Sequence, residues 1–254
     1  AVRYFPQVNC YQPPIVWDRA EKYQVFDAAG NCWIDFSSTA VACNSGHGHP
    51  AIRAALAAHV EEGLLAQFSF ASEIRVRLAR RLVELAPPGM DKAYLWTVGS
   101  EAIEAALRVA REWGQKRDPR KYHLLAFSGD FHGWTLGAHQ LSGTSAAKPW
   151  LQHPDTAIHH IPFPTDDRDG PTQLDESIAA LAERDVHSDQ IAAVFIETLQ
   201  GWGALPFPVD YMQALRRWAD AHEILLIFDE IQTGFGRTGK LFAHEHYDVR
   251  ADLL

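Results

Sequence analysis

What this sequence has little of narrows its function before any motif is read. Only three cysteines occur in 254 residues, Cys10, Cys32 and Cys43. None falls in a C-x-x-C pair, and an odd count leaves one outside any disulfide scheme, so the simplest setting is a reducing cytoplasm. A basic surplus is missing too: 23 Lys and Arg stand against 32 Asp and Glu, a formal net charge of -9. Nucleic acid needs a basic footprint and is not an expected partner. No apolar run approaches the length that spans a bilayer, and the opening residues contain no apolar signal core, so a soluble protein without a membrane partner is expected. There is no internal repeat and no low-complexity stretch. The 47% hydrophobic and 22% charged fractions are those of an ordinary globular chain.

What is present is an alternation of two periodicities. From about residue 51, helical spacing in "AIRAALAAHVEEGLL", "SEIRVRLARRLVELA", "SEAIEAALRVAREWGQK", "ESIAALAERDV" and "VDYMQALRRWADAH" alternates with short apolar runs in "KAYLW", "YHLLAFSG", "IAAVFIET" and "EILLIFDE". Strands with continuous apolar runs are buried on both faces, as a parallel sheet covered by helices requires. The fold class expected is α/β, a mostly parallel sheet with helices on both faces. Residues 1–50 read differently. "VFDAAGNCWIDFSS" is two short β-like runs around Gly30 and Asn31, a hairpin signal. The expected organisation is a small element over 1–50 and a large domain over 51–254.

The stretch "LLIFDEIQTGFGRTGKL" contains an apolar strand ending in Asp229 and a G-x-x-x-x-G-K pattern. In a phosphate-binding P-loop the glycine loop follows one strand and opens a helix, and the carboxylate ends a later strand. Here the carboxylate precedes the loop by a few residues, and Leu241 stands where a magnesium-binding Ser or Thr is needed. The nucleotide reading fails on order and spacing.

Asp229 still ends the most apolar strand, at the edge where open α/β sheets place ligands. Other groups share that edge. Gly99 and Ser100 open a strong helix, which makes either a phosphate cradle of free N–H groups or an ordinary Ser N-cap. Phe131, His132 and Gly133 follow one strand, and a Phe there either stacks on a planar ring or fills the core. Glu197 ends another strand, with Gln200, Gly201 and Trp202 in its loop. A phosphate cradle, a stacking ring and a carboxylate together point to pyridoxal 5'-phosphate, whose ring nitrogen an Asp keeps protonated. His47, His49, His159, His160, His244 and His246 are close in sequence but lack H-E-x-x-H spacing, so no metal site is expected. Cys43 has no arrangement supporting a thiol nucleophile.

These motifs carry a resemblance. "FDEIQTGFGRTGKLFAHEHYDVRADLL" resembles the signature of the class III (ω-type) aminotransferases, fold type I enzymes that use pyridoxal 5'-phosphate. "VGSEAIEAALRVAR", "FHGWTLGA", "IDFSSTAVACNSGHGHP" and "IETLQGW" resemble that family's other blocks, in its order. The resemblance implies that Gly99 and Ser100 hold the cofactor phosphate, Phe131 stacks on the ring and His132 lies beside it. It further implies that Asp229 pairs with the ring nitrogen, Ile231 packs the other ring face, Gln232 bonds the phenolic oxygen and Glu197 supports the network. Residues 1–50 would begin a small domain, and residues 51–254 would be an incomplete large one. The family's Schiff-base lysine is expected just after Leu254, outside this chain, so the sequence reads as the N-terminal portion of a longer enzyme.

Two departures from the family pattern replace charge by a large aromatic. Trp134 occupies a position that is Arg in many members, and Trp202 one that is Glu. A tryptophan cannot form the bidentate ion pair that grips a carboxylate. Either local packing fills both positions, or both line a pocket for an apolar, bulky or carboxylate-poor amine. The implied activity is amino-group transfer from an amine or amino acid to a keto acid, aldehyde or ketone, ping-pong through pyridoxamine phosphate, in a cytoplasmic homodimer. A decarboxylase or racemase of the same class, and a non-catalytic relative that only binds the cofactor or a partner, are the alternatives.

Overall fold

Helical and strand periodicities emerge as separate elements in the structure, a computed structural model that describes residues 15–67, 70–144 and 148–254. Cys10 and the opening segment lie outside these residues. The chain divides into two units, residues 1–72 and 73–254.

In the first unit, β1 (Arg19–Glu21), β2 (Gln24–Phe26) and β3 (Cys32–Ile34) form an antiparallel sheet in that order. The turn between β2 and β3 is closed by Asp27, whose carboxylate accepts from the Ala29 and Asn31 N–H groups at 3.0 and 2.9 Å. Gly30 there sits at φ +88, a conformation open to glycine without strain. β1 reads Arg-Ala-Glu and has no apolar alternation to reveal it. Helix α1 (Pro50–Glu62) starts with Pro50 in its first turn and ends at Gly63, φ +77; none of its residues is buried.

The second unit contains α2 (Glu73–Leu85), α3 (Gly99–Gln115), β4 (His123–Phe127), α4 (Leu136–Leu141), β5 (Ile158–Ile161), α5 (Gly170–Ala182) and β6 (Ile191–Glu197). A short antiparallel pair follows, β7 (Leu199–Gln200) with β8 (Leu205–Pro206), and then α6 (Val209–Ala221) and β9 (Leu225–Asp229). β5, β4, β6 and β9 form one sheet in that order, every pair parallel. Alternation along the strands sends Leu125, Phe127, Val194, Ile196, Leu226 and Phe228 into one core with residues of α5 and α6. Leu124, Ala126, Ala193, Phe195, Leu225 and Ile227 enter a second core with α3 and α4. Helices therefore cover both faces, as the apolar runs require.

Residues 92–96, expected as a strand, are not one. Tyr94 and Trp96 stack on each other instead, 6.2 Å between ring centroids. A strand exists only by pairing with a neighbour, and among the described residues this segment finds none. The free side of β9 is occupied by the chain end. Asp252 and Leu253 donate to the Leu226 carbonyl at 2.8 and 3.2 Å, Phe228 donates to Leu253, and Ile227 bridges Leu253 in parallel. Among the described residues no helix is long and apolar enough to cross a membrane.

Candidate active site

Because all four strands run the same way, their carboxyl ends share one edge, and Glu197 and Asp229 stand side by side in register there. β4 leaves the sheet at the same edge and turns through Gly129, φ +93, into Asp130, Phe131, His132 and Gly133. The first turn of α3 reaches it as well: a Cβ on Gly99 would sit 2.8 Å from Ile231 Cδ1, and the Trp134 N–H donates to Ser100 Oγ at 3.3 Å. Gly133, φ +135, lies so close to the Ser100 hydroxyl that any side chain on it would collide. The cofactor-site residues expected from sequence therefore converge on one place, Gln232 included, and Trp202 follows Gly201 in the loop beside them. A Cβ on Gly201 would meet the Gln232 side-chain oxygen.

The electrostatic centre is a buried pair. His132 Nδ1 lies 2.9 Å from Asp229 Oδ2, both side chains almost without solvent. The other Asp229 oxygen accepts the Ile231 N–H at 3.0 Å. His132 is fixed from behind by its own N–H, donated to Ser142 Oγ at 2.9 Å. Glu197 ties two loops together: one oxygen accepts the Phe131 N–H at 2.7 Å and the other the Gly201 N–H at 3.3 Å. Burial, reinforced by the Asp130 and Asp229 charges, pushes the Glu197 carboxyl up to about 7 against the Phe131 hydrogen bond. Asp130 is pushed up to about 6, again chiefly by burial. Burial alone would lower the His132 imidazole, but the Asp229 hydrogen bond and the charges of Asp229, Asp130 and Glu197 outweigh it, and His132 is raised. Perturbed groups gathered at a strand-end edge are the electrostatic mark of a functional site.

The Ser100 N-cap reading does not hold. Val98 is the N-cap, with no side-chain capping bond, and Ser100 lies inside the first turn. Glu101 reaches back to the Thr97 N–H at 3.0 Å, and the Gly99 and Ser100 N–H groups take no hydrogen bond among the described residues. Bare first-turn N–H groups at a helix start are an anion site. Residues 234–240 form turns that lead to a short 3-10 segment, Ala243–His246, and open no helix, so the P-loop reading also fails on structure. Glu230 organises that segment by accepting the Ala243 and His244 N–H groups at 3.0 and 2.8 Å.

Trp134 and Trp202 stand exposed at the rim, 65% and 73%, and Ile231 is 60% exposed. The Trp134 ring contacts Phe131 edge-on at 5.4 Å. The histidines outside the site are engaged separately: His47 with Asp35, His49 at the start of α1, His159 with His123, His160 with the Leu141 carbonyl, His244 with Val249, His246 with Thr238. Cys32 and Cys43 are free thiols. Sequence reading missed Asp130, and also Glu104, which fastens α3 to α4 by accepting from Thr135 Oγ1 and the Gly137 N–H at 2.6 and 2.8 Å. The only signal for Asp130 was an acid at a strand exit, which usually means a turn.

The edge fits pyridoxal phosphate on observations of its own residues. Bare helix N–H groups suit a phosphate, and the exposed Ile231 side chain beside α3 offers an apolar face. The Asp229 carboxylate, with two of about four lone-pair sites engaged, retains capacity for a third donor.

Comparison with known proteins agrees. The sequence profile of the family described as Aminotransferase class-III matches residues 6–254. An acetylornithine aminotransferase of Neisseria meningitidis is 38% identical over 244 residues, covering 95% of this chain and 57% of that protein. Among solved structures, an (S)-enantioselective omega-transaminase from Thermomicrobium roseum superposes with a TM-score of 0.87 at 31% identity, covering 98% of this chain and 59% of the other. An amine transaminase from an uncultivated Pseudomonas species, solved with PLP bound, gives 0.87 at 26% identity, covering 98% and 60%. The chain spans little more than half the length of the curated relatives it matches.

Proposed function

From the premise that the chain belongs to the class III aminotransferase family, we propose that it is part of a pyridoxal 5'-phosphate-dependent aminotransferase. It would move an amino group from an amine or amino-acid donor to a keto acid, aldehyde or ketone. The single observation that carries this reading is the buried His132–Asp229 pair, held at the sheet edge opposite the uncapped start of α3.

When bound, the cofactor supplies an electron sink for the carbon that bears the amine. The residues of this chain do the rest. Gly99 and Ser100 take the phosphate on their free N–H groups, and the missing Gly99 side chain keeps that approach open. Phe131, fixed through its N–H by Glu197, stacks on one ring face, and Ile231 packs the other. Asp229 would accept a hydrogen bond from the protonated ring nitrogen and so keep it protonated, with His132 behind it. Gln232 donates to the phenolic oxygen. Trp134 and Trp202 line the substrate pocket and favour an apolar or bulky amine over one whose second carboxylate needs an arginine.

The lysine that would carry the cofactor and relay the proton follows Leu254 in this reading. The parallel register of Leu253 with Ile227 supports it, since a residue two positions beyond Leu253 would stand level with Asp229. We also take residues 1–50 as the start of a small domain and 51–254 as an incomplete large domain. We further propose a cytoplasmic homodimer that binds neither nucleic acid nor membrane; the net charge of -9 supports the exclusion of nucleic acid.

The test is the visible absorbance of the full-length protein with pyridoxal phosphate. A yellow band bleached by an amine donor, with one equivalent of carbonyl product per cofactor from donor alone, supports transfer. Carbon dioxide release without that product would favour a decarboxylase. Absence of any band would sink the proposal.

A further inference from the structure

One buried group at this edge has no part in the reading above. Asp130, fully excluded from solvent, precedes Phe131 at the exit of β4. Its Oδ1 accepts from Gln200 Nε2 at 3.1 Å, its Oδ2 accepts the Glu197 N–H at 3.2 Å, and the same Oδ2 stands 3.7 Å from His132 Nε2. The opposite ring nitrogen, Nδ1, faces Asp229 at 2.9 Å. His132 Nε2 is itself buried and has no hydrogen-bond partner among the described residues. The imidazole is thus held between two carboxylates, on β9 and at the β4 exit. A bare Nε2 would set its lone pair against an acceptor oxygen, whereas a protonated Nε2 turns the same geometry into attraction.

We propose that Asp130 is a positioning residue: from the side away from Asp229 it holds His132 doubly protonated, which locks Nδ1–H on Asp229 and aims the remaining lone pairs of that carboxylate at the cofactor's ring nitrogen. Only the last clause rests on the proposed function. The state of the imidazole rests on the protein's own side chains, Asp130 and Asp229 first, and not on the cofactor. The other charged groups facing the imidazole act on the same balance. Glu197 on β6 favours the cation, as Asp229 and Asp130 do. His160 on β5 is itself lowered in part by the His132 charge. The Phe195 ring closes the remaining side edge-on at 6.1 Å. Asp130, pushed up to about 6 by burial, is predominantly a carboxylate at neutral pH and able to do this.

The experiment follows His132 by nitrogen NMR in the cofactor-free full-length protein between pH 5 and 9, with the wild type beside Asp130→Asn. Both ring nitrogens of wild-type His132 are expected to be protonated at pH 7. The substitution is expected to lower the His132 midpoint by about one unit or more, the size an opposite charge at this distance produces. A wild-type imidazole with a bare Nε2 at pH 7 overturns the proposal whether or not the variant folds. An unmoved midpoint in a folded variant overturns it as well. In the cofactor-loaded protein, the pH at which the visible band changes should move in the same direction as the midpoint. If the protein takes up no pyridoxal phosphate, the proposed function fails while the His132 titration still decides the role of Asp130.

Discussion

Replacing Glu197 by Gln should make the protein more stable at alkaline pH and less fit for its proposed task. The Glu197 carboxyl is raised from an ordinary 4.5 to about 7, so the folded state holds its proton more tightly than the unfolded chain does. Its contribution to stability is then complete below pH 4.5, falls as pH rises from 4.5 to about 7, and is gone above that. A shift of this size corresponds to roughly 3 kcal/mol at about 1.4 kcal/mol per unit, and at 5% exposure solvent screens little of it. Glutamine is neutral throughout. It keeps an oxygen for the Phe131 N–H but sets its amide nitrogen toward the longer Gly201 contact, a loss of about 1 kcal/mol independent of pH. The variant should therefore be about 1 kcal/mol less stable than wild type at pH 4.5 and about 2 kcal/mol more stable at pH 8. Denaturant unfolding of both proteins at several pH values between these limits measures the difference, because slopes from titrating groups distant from Glu197 are common to the two and only those of its coupled neighbours Asp130 and His132 change with it. Parallel stability curves for wild type and variant over that range would refute the account of the buried acid. The same change should weaken cofactor binding, since the two loops that Glu197 ties are those carrying Phe131 and Trp202.

Three further outcomes are expected. Asp229→Ala removes one partner of a buried ion pair and should destabilise the protein by about 3–5 kcal/mol in guanidinium unfolding; a loss below about 1 kcal/mol would mean that His132 and Asp229 are not paired as described. Gly99→Ala puts a methyl group 2.8 Å from Ile231 Cδ1, and because that side chain is exposed and able to swing away, stability should change by less than about 1 kcal/mol. Its affinity for pyridoxal phosphate, followed by fluorescence titration, should nevertheless fall about tenfold or more, and an unchanged affinity would remove the phosphate from α3. Trp134→Arg should move the ratio of kcat/KM for ω-amino acids over simple amines upward by about tenfold, on the order of one charge-assisted bidentate contact; an unchanged ratio would take Trp134 out of the substrate pocket.

The fold is legible in the sequence where one physical signal dominates. β6, "IAAVFIE", is buried along its whole length and can be read as an inner strand from that run alone. The helices α3 and α6 announce themselves by period. β1 and β5 carry no such signal: Arg-Ala-Glu has no apolar alternation, and "IHHI" reads as a histidine pair before it reads as an edge strand beside β4. Residues 92–96 have strand-like composition but no neighbour to pair with, and composition cannot supply a partner. At the site, strand ends and helix starts place Gly99, His132, Glu197 and Asp229 correctly at one edge, because topology alone decides where parallel strands finish. The identity of the α3 N-cap and the part played by Asp130 depend on side-chain directions that spacing does not contain.

The distribution of local misfits argues for the site independently of any motif. Away from the edge the rules of folding are met in most places: both sheet faces are covered by helices, α5 is capped by the Asp169 carboxylate on the Thr172 N–H, and the Glu104 carboxylate is shared among the first donors of α4. Single exceptions occur, among them the uncapped start of α6, the buried Tyr211 hydroxyl and the exposed Phe36. At the carboxyl edge they are broken together. A helix starts without a side-chain cap, an imidazole nitrogen is buried without a hydrogen bond, two carboxyls are raised by burial, and two tryptophans and an isoleucine stand in solvent. Each feature alone is a small loss of stability, on the order of 1–3 kcal/mol for an unsatisfied or desolvated polar group. Their coincidence at one edge has a common physical explanation if that edge binds an anion, a flat ring and an apolar substituent, because the same ligand would satisfy the bare N–H groups and cover the exposed side chains. Pyridoxal phosphate with an amine donor has those three parts. The raised acids then remain as the groups that a ligand of this kind needs held in place, and they are where substitution should separate stability from function.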